Sequence, residues 1–490
     1  MKHYIAFDFG AESGRAILGS LDGRKLTIAE KHRFANPNGR MQGTLQWDLL
    51  AQWEQIKQGL KLAAEGADRI AGIGVDTWGV DFGLIDAAGK VLGNPVMYRD
   101  GRTDTAMDEV FRIVPADEVF AATGNQFMQF NTLFQLWALK RDNPRLLDAA
   151  DRLLFMPDLF HYLLTGLAAN EFSIASTSQM YDPQRRTWSG ELLNKLDLPA
   201  RLLGKIVPSG TVLGALKDDV AREVGVKAMP VITPASHDTG SAVASVPAEG
   251  GSWCYISSGT WSLMGVELPE PLINEKSRKY NYTNEGGVGG SIRFLKNIMG
   301  MWLVQECRRA FKAAGHDHTY AELTQMAERA EGFRALVDPD YPPMLKPGDM
   351  PGKIDEYCNR TNQPRPTSRG EYVRACIDSL ALTYRRTLEG LEDILGKRID
   401  TIHIVGGGTQ NELLNQLTAD ICGRTVIAGP IEATAIGNIL VQAMATGQIG
   451  SLSEARAVVR ASFPVKRYDP DEDAVSACER AYQRFRALQT

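Results

Sequence analysis

Tyr4-Ile5-Ala6-Phe7-Asp8-Phe9-Gly10-Ala11-Glu12-Ser13-Gly14-Arg15-Ala16-Ile17-Leu18-Gly19 opens the chain as two apolar runs joined by a polar, glycine-bearing turn. This pattern predicts a β-hairpin: a strand over 4–10, a turn at Gly10 to Gly14, and a second strand over 15–19 ahead of Asp22-Gly23. A second hairpin begins at Trp253, with strands over 253–257 and 261–266 around the turn Ser258-Gly259-Thr260. The segments after the two hairpins are also alike. After the first, Asp48 can cap a helix whose apolar positions Leu49, Trp53, Ile56, Leu60 and Ala63 recur at three- and four-residue steps. A buried strand over 70–75 then runs into the polar turn Asp76 to Asp81 and continues as 82–86. After the second, Val373, Ile377, Leu380, Tyr384, Leu388, Leu391 and Leu395 mark a long amphipathic helix, and a strand over 401–405 ends in Gly406-Gly407-Gly408.

Hairpin, helix, strand and polar turn thus occur twice, at a spacing too long for a solenoid. The repeat predicts duplicated domains spanning 1–245 and 246–490, with the boundary near Ala244 to Gly251, where Pro247 and Gly250-Gly251 break the pattern. The expected fold class is α/β: two actin-like, ribonuclease-H-like domains, each a mixed sheet flanked by helices, with the active-site cleft between them. A doubly wound dinucleotide fold is the rival. It is set aside because the first strand leads into a hairpin and no GxGxxG follows it.

Composition narrows the function. With 490 residues, 44% hydrophobic, the chain can bury large cores. Fifty-four Lys and Arg against 59 Asp and Glu, net −5, supply no basic field for nucleic acid or a membrane surface, so neither is expected as a partner. Asp8 interrupts the only early apolar run, and no later run approaches the roughly 18 apolar residues of a membrane span. The six cysteines show no metal-ligand or CxxC spacing, and a cytoplasmic, reducing setting is expected. The stretch from Phe311 to Arg369 reads as a helical insertion followed by surface loops, without assignable chemistry.

Several turns carry the parts of a phosphoryl-transfer site. In the first, glycines let amides approach a phosphate, Ser13 adds a hydroxyl, Arg15 a cation, and Asp8 can hold Mg²⁺ through water; a plain hairpin turn is the alternative. The second, Ser257 to Trp261, offers hydroxyls and amides without an acid, which suits the outer phosphates of a nucleotide. Gly406-Gly407-Gly408-Thr409-Gln410-Asn411 reads as a helix start through which the chain can pass close to adenosine. In Thr233-Pro234-Ala235-Ser236-His237-Asp238-Thr239-Gly240, Asp238 can take the proton from an attacking hydroxyl. Equally, Asp238 could cap a helix and His237 could be a hydrogen-bonded core histidine. Asp76, Trp78, Asp81 and Tyr98-Arg99-Asp100 could bind a sugar's hydroxyls and carbon face, although Trp78 could be core and Asp100 with Arg102 a surface pair.

The motifs DFGAESGR, GVDTWGVDF, YRDGRT, ASHDTGSA, SSGTWSLMG, TNEGG, LKNIMGMWLVQ, HIVGGGTQN and AGPIEATAIGN together resemble the FGGY carbohydrate kinases, from Tyr4 to beyond Asn438. The resemblance implies phosphorylation of the C1 hydroxyl of a small-molecule ketose, L-rhamnulose, by ATP with Mg²⁺, within rhamnose breakdown. It implies Asp238 as catalytic base, and nucleotide contacts from Ala11, Glu12, Ser13, Gly14, Arg15, Thr260, Gln305 and Gly408. Sugar contacts are implied at Gly79, His237, Asp238, Thr239 and Asn297, with support of Mg²⁺ through water at Asp8. Glu12 departs from the small polar residue expected there, so its carboxylate should point away from phosphates or sit near the metal. Two alternatives remain: a sister kinase for L-fuculose, xylulose or glycerol, and an actin-like ATPase without a sugar substrate.

Overall fold

The structure, a computed structural model, describes residues 1–67 and 69–488. In chain order the strands that matter here are β1 (Lys2–Phe9), β2 (Ser13–Asp22), β3 (Lys25–Ala35), β4 (Ile70–Thr77), β5 (Val212–Ala215), β6 (Pro230–Ile232), β7 (Trp253–Ser258), β8 (Trp261–Leu268), β9 (Thr283–Gly286), β10 (Ile292–Met299), β11 (Thr401–Val405), β12 (Thr425–Ala428) and β13 (Lys466–Tyr468). The helices are α1 (Leu49–Ala64), α2 (Asp238–Ala244), α3 (Trp302–Ala313), α4 (Arg369–Leu395), α5 (Glu412–Cys422) and α6 (Ala433–Ala445).

The chain forms two compact units. Unit 1 comprises residues 1–247, 267–295 and 433–462, and unit 2 comprises 248–266, 296–432 and 463–490. The chain therefore first crosses close to Pro247 and afterwards returns twice to unit 1, with the β9 hairpin and with α6, so the units are not two simple halves of the sequence.

In unit 1 the sheet order is β5-β6-β4-β1-β2-β3. The β1/β2/β3 meander is antiparallel, whereas β4 runs parallel to β1 and β6 parallel to β4. The second sheet, β9-β10-β8-β7-β11-β12-β13, repeats the scheme: β7 pairs antiparallel with β8 and parallel with β11, and β11 parallel with β12. Both sheets thus share a five-strand core, β3-β2-β1-β4-β6 in the first and β10-β8-β7-β11-β12 in the second, the mixed sheet flanked by helices that the repeat predicts. One departure concerns Phe82–Ile85, which leaves the main sheet to pair with Arg152–Phe155.

Helix α1 starts where Asp48 accepts a hydrogen bond from Ala51 N. Its Ile56, Leu60 and Ala63 pack with Ile5, Phe7, Ile73 and Val75 of the sheet in one core, where truncating a single Ile or Leu to Ala would cost about 2–5 kcal/mol. Helix α6 packs on glycines that leave it room: a Cβ at Gly19 would lie 2.6 Å from Ile439, and one at Gly74 would lie 2.5 Å from Asn438 Oδ1. In unit 2 the 311–369 stretch is helical at its start, as expected, but the part after the first helix is not surface loop. It contains helices over Tyr320–Glu328 and Met350–Arg360, and Leu323, Leu336, Val337, Met344, Ile354 and Tyr357 are buried. Polar residues between these apolar anchors obscure the pattern in the sequence.

Candidate active site

Asp238 stands at the first position of α2, directly after the extended His237, so His237 rather than Asp238 occupies the N-cap position. Helix α2 is built from small residues because its neighbours are close. A Cβ on Gly240 would lie 3.1 Å from Ala235 Cβ, and the Cβ of any larger residue at Gly437 of α6 would fall 1.7 Å from the Ser241 carbonyl oxygen. The turn before α2 hangs on one buried carboxylate. Glu171 Oε2 accepts from Ser236 N at 3.0 Å, Ile174 N at 3.2 Å and Ser173 Oγ at 2.6 Å, and Ser173 Oγ in turn accepts from His237 N at 3.0 Å.

The two oxygens of Asp238 differ. Oδ1 accepts from both Thr239 N and Thr239 Oγ1, and His237 Nε2 lies 3.3 Å from it. Among the described residues no donor reaches Oδ2, and the side chain is 30% exposed. Burial and the charge of Asp8 hold the carboxyl above the usual aspartate range, against the opposing pull of His237 and Thr239. One oxygen is thus anchored and the other is free to accept a proton, as a general base requires.

Asp8 pairs with Arg15 directly across the β1/β2 ladder and with Asp76 across the parallel β1/β4 ladder. Asp76 is fully buried; its Oδ2 accepts from Asn438 Nδ2 at 2.6 Å, and Asn438 Oδ1 accepts from Gln442 at 2.7 Å. Burial, then the charges of Asp8 and Asp238, raise the Asp76 carboxyl well above its ordinary value.

Gly79 sits where a Cβ would lie 3.4 Å from His237 Nε2 and 3.5 Å from Thr177 Oγ1, so its lack of a side chain leaves the ground beside His237 clear. The backbone there is strained. Asp81 N donates to the Gly79 carbonyl at 2.9 Å around Val80, whose φ of 69° is left-handed for a β-branched residue. Surrounding bonds hold it: the Val80 carbonyl accepts from Thr132 Oγ1 at 2.7 Å, and Asp81 Oδ2 from Trp47 Nε1 at 2.7 Å and Trp78 Nε1 at 2.9 Å. Burial lifts the Asp81 carboxyl to about 6 despite these bonds. Trp78 is core, packed against Trp47 with ring centroids 4.2 Å apart and the ring planes tilted by 39°, and Asp100 accepts from the backbone of Leu45 and Arg102. Trp78 and Asp81 thus brace the Gly79 turn, and Asp100 ties the neighbouring backbone of Leu45 and Arg102.

The first polar turn is closed by Gly10 N donating to the Ser13 carbonyl at 2.9 Å. Ala11 and Ser13 are half-buried, and Glu12 is exposed. Gly14 has a packing reason of its own, since a Cβ there would strike the Phe34 ring at 2.3 Å. Arg15 is engaged by Asp8.

In unit 2 the β7/β8 turn docks on the start of α3: Met301 N donates to the Gly259 carbonyl at 3.0 Å, and Trp302 N to that of Thr260 at 3.2 Å. Gln305 lies one turn further along α3. Gly408 packs so tightly on Ser258 that a Cβ would sit 1.9 Å from its Oγ. Thr260, Gln305 and Gly408 thus gather around one turn. The glycine run itself forms a 3-10 turn over Gly407–Gln410, and α5 begins only after its cap Asn411, a shift from the expected helix start at the glycines. Asn297 lies on β10 in unit 2, whereas the other expected sugar contacts belong to unit 1.

Several residues that build this site escape the sequence reading. Glu171, Glu285, Arg293, Asn438 and Gln442 come from segments with no catalytic signature, although TNEGG and AGPIEATAIGN, which carry the family resemblance, contain Glu285 and Asn438.

The N-terminal domain of the FGGY family of carbohydrate kinases matches residues 3–244, and its C-terminal domain residues 254–446. The chain belongs to this family and is a sugar kinase, a phosphotransferase that takes ATP as donor. Among its relatives, the rhamnulokinase of Bacteroides thetaiotaomicron is 44% identical over 485 residues, 99% of each chain, and that of Bacillus subtilis is 38% identical over 98% of each. In fold it is similar to the ligand-bound xylulose kinase of Lactobacillus acidophilus (TM-score 0.82, 16% identity, 100% and 98% of the two chains). It is also similar to Plasmodium falciparum glycerol kinase with ADP (TM-score 0.77, 16% identity, 100% and 98%). Among the described residues no helix is long and apolar enough to cross a membrane.

Proposed function

We propose that the protein transfers the terminal phosphoryl group of ATP to the C1 hydroxyl of L-rhamnulose, giving L-rhamnulose 1-phosphate and ADP in rhamnose catabolism. The observation that carries the reading is the divided carboxylate of Asp238: Oδ1 is fixed by Thr239 beside His237, and Oδ2 is left open for the hydroxyl proton. Phosphoryl transfer asks mostly for positioning and charge stabilisation, with reacting atoms about 3–3.5 Å apart. Asp238 removes the proton as the O–P bond forms, while Gly79, His237, Thr239 and Asn297 orient the sugar. Ala11 to Arg15, Thr260, Gln305 and Gly408 hold the nucleotide, and the exposed Glu12 can keep its carboxylate away from the phosphates. The names of the relatives point to the ketose.

A divalent cation fits this arrangement only indirectly. No group of three or more His, Cys, Asp or Glu side chains is placed to hold a metal among the described residues, and Asp8 is shared with Arg15. Asp8 would therefore support Mg²⁺ through water, and the ion would neutralise charge on the phosphate oxygens. All six cysteines are free and buried, in keeping with a reducing cytoplasm.

A coupled ADP-release assay with L-rhamnulose, L-fuculose, xylulose and glycerol tests the substrate. The highest kcat/KM is expected with L-rhamnulose. A clear preference for another acceptor would reassign the sugar, and ATP hydrolysis indifferent to all four would favour an actin-like ATPase.

A further inference from the structure

Arg293 is wholly buried in unit 1, with a relative exposure of 0%. Antiparallel pairing of β9 with β10 sets it opposite Glu285. Its Nε donates to the Gly286 carbonyl at 2.7 Å, and its Nη2 lies 3.2 Å from Glu285 Oε2. The same Nη2 reaches His237 Nδ1 at 3.1 Å. A guanidinium is always a donor and never an acceptor, so His237 Nδ1 must offer its lone pair to this contact. The ring proton then belongs on Nε2, the nitrogen 3.3 Å from Asp238 Oδ1. Glu285 Oε2 is also 3.2 Å from Nδ1 and could take a proton from it, but the buried guanidinium competes for that side of the ring. The Glu285 carboxyl is accordingly held below its usual range: burial alone would raise it, and His237 and Arg293 together outweigh that.

We propose that Arg293, anchored by Glu285, is a positioning residue that locks His237 as the neutral Nε2–H tautomer, so that the imidazole turns its N–H side toward Asp238 Oδ1 and leaves Oδ2 to accept the proton of the sugar hydroxyl. With the opposite tautomer, a lone pair on Nε2 would face the carboxylate and push the base from its place. The inference rests on the reading of Asp238 as base, and it adds residues from a hairpin beyond the first chain crossing to the machinery of α2.

The test is ¹⁵N NMR of the full chain labelled at histidine, with the His237 signals assigned by their loss in His237→Gln. Wild type near neutral pH should show an unprotonated Nδ1 and a protonated Nε2. Arg293→Met should lose that signature and cut kcat about tenfold while the ketose KM changes by less than about threefold, and Arg293→Lys, which restores a donor, should recover the tautomer and most of the turnover. A wild-type ring that is Nδ1–H or doubly protonated overturns the proposal, as does an Arg293→Met protein whose tautomer is unchanged or whose turnover is intact. Should Arg293→Met fail to fold, the wild-type and Arg293→Lys spectra decide. Normal turnover in Asp238→Asn would instead reject the base itself, whatever the tautomer.

Discussion

Asp76 faces Asp8 as its direct Cα partner on the neighbouring parallel strand, and only one of the two Asp76 oxygens finds a donor, the amide of Asn438. Two carboxylates at one level of a sheet, one of them fully buried, make the ionised form of Asp76 costly. The raised folded pKa fixes the sign of its pH effect. Its contribution to stability is fully present below the unfolded value of about 3.9 and is lost as pH rises through the folded value. Asp76→Asn keeps an oxygen for Asn438 and removes the charge. It is expected to melt higher than wild type at alkaline pH, with the gain shrinking toward acid pH, as followed by thermal denaturation at several pH values. A gain independent of pH would contradict this account.

As the proposed base, Asp238 must be ionised to work, and burial together with the charge of Asp8 holds its carboxyl above the ordinary aspartate range. The acid limb of kcat/KM should therefore fall at a higher pH than an exposed aspartate would give. A rate profile flat down to pH values well below 4 would show that no raised carboxyl governs the step.

Glu171 supports the turn that bears Asp238. Glu171→Ala strips the acceptor from the buried amides of Ser236 and Ile174, at about 1–3 kcal/mol each, and should also lower kcat by releasing the 236–238 backbone. Glu171→Gln retains an acceptor oxygen and should remain close to wild type in both respects. Denaturant melts and steady-state kinetics on the pair separate this role from a general need for negative charge.

In the proposed nucleotide site, Gly408→Ala places a methyl group where Ser258 Oγ stands and must displace the turn. The expected result is a rise of about tenfold or more in KM for ATP, equivalent to about 1.4 kcal/mol, with ketose affinity measured by calorimetry unchanged. Equal loss of both affinities would mean that Gly408 serves folding rather than nucleotide binding.

Much of this architecture is legible in the chain because its signals are local. The hairpins around Gly10 and Gly259, the Asp48 cap and the strand into Asp76 are written in consecutive residues. The turn bearing Asp238 is legible for the same reason. Glu285 and Arg293 are not, since a four-residue strand of sequence Thr-Asn-Glu-Gly looks like a turn and becomes a strand only through its ladder with β10. Trp78 reads as a sugar platform until Trp47, from an earlier element, is found packed against it. Asn438 and Gln442 look like polar interruptions of an apolar helix until Gly72 and Gly74 open space for them on β4. Contacts between residues hundreds of positions apart leave no periodic trace in the sequence.

The claim on which the account turns is that Asp238 removes the proton from the attacking hydroxyl. Turnover of Asp238→Asn, measured alongside direct binding of ketose and ATP, tests it most plainly. The account predicts a loss of about 10²- to 10⁴-fold in kcat with both affinities within about threefold of wild type. Turnover close to wild type in a protein that still binds both substrates would contradict it.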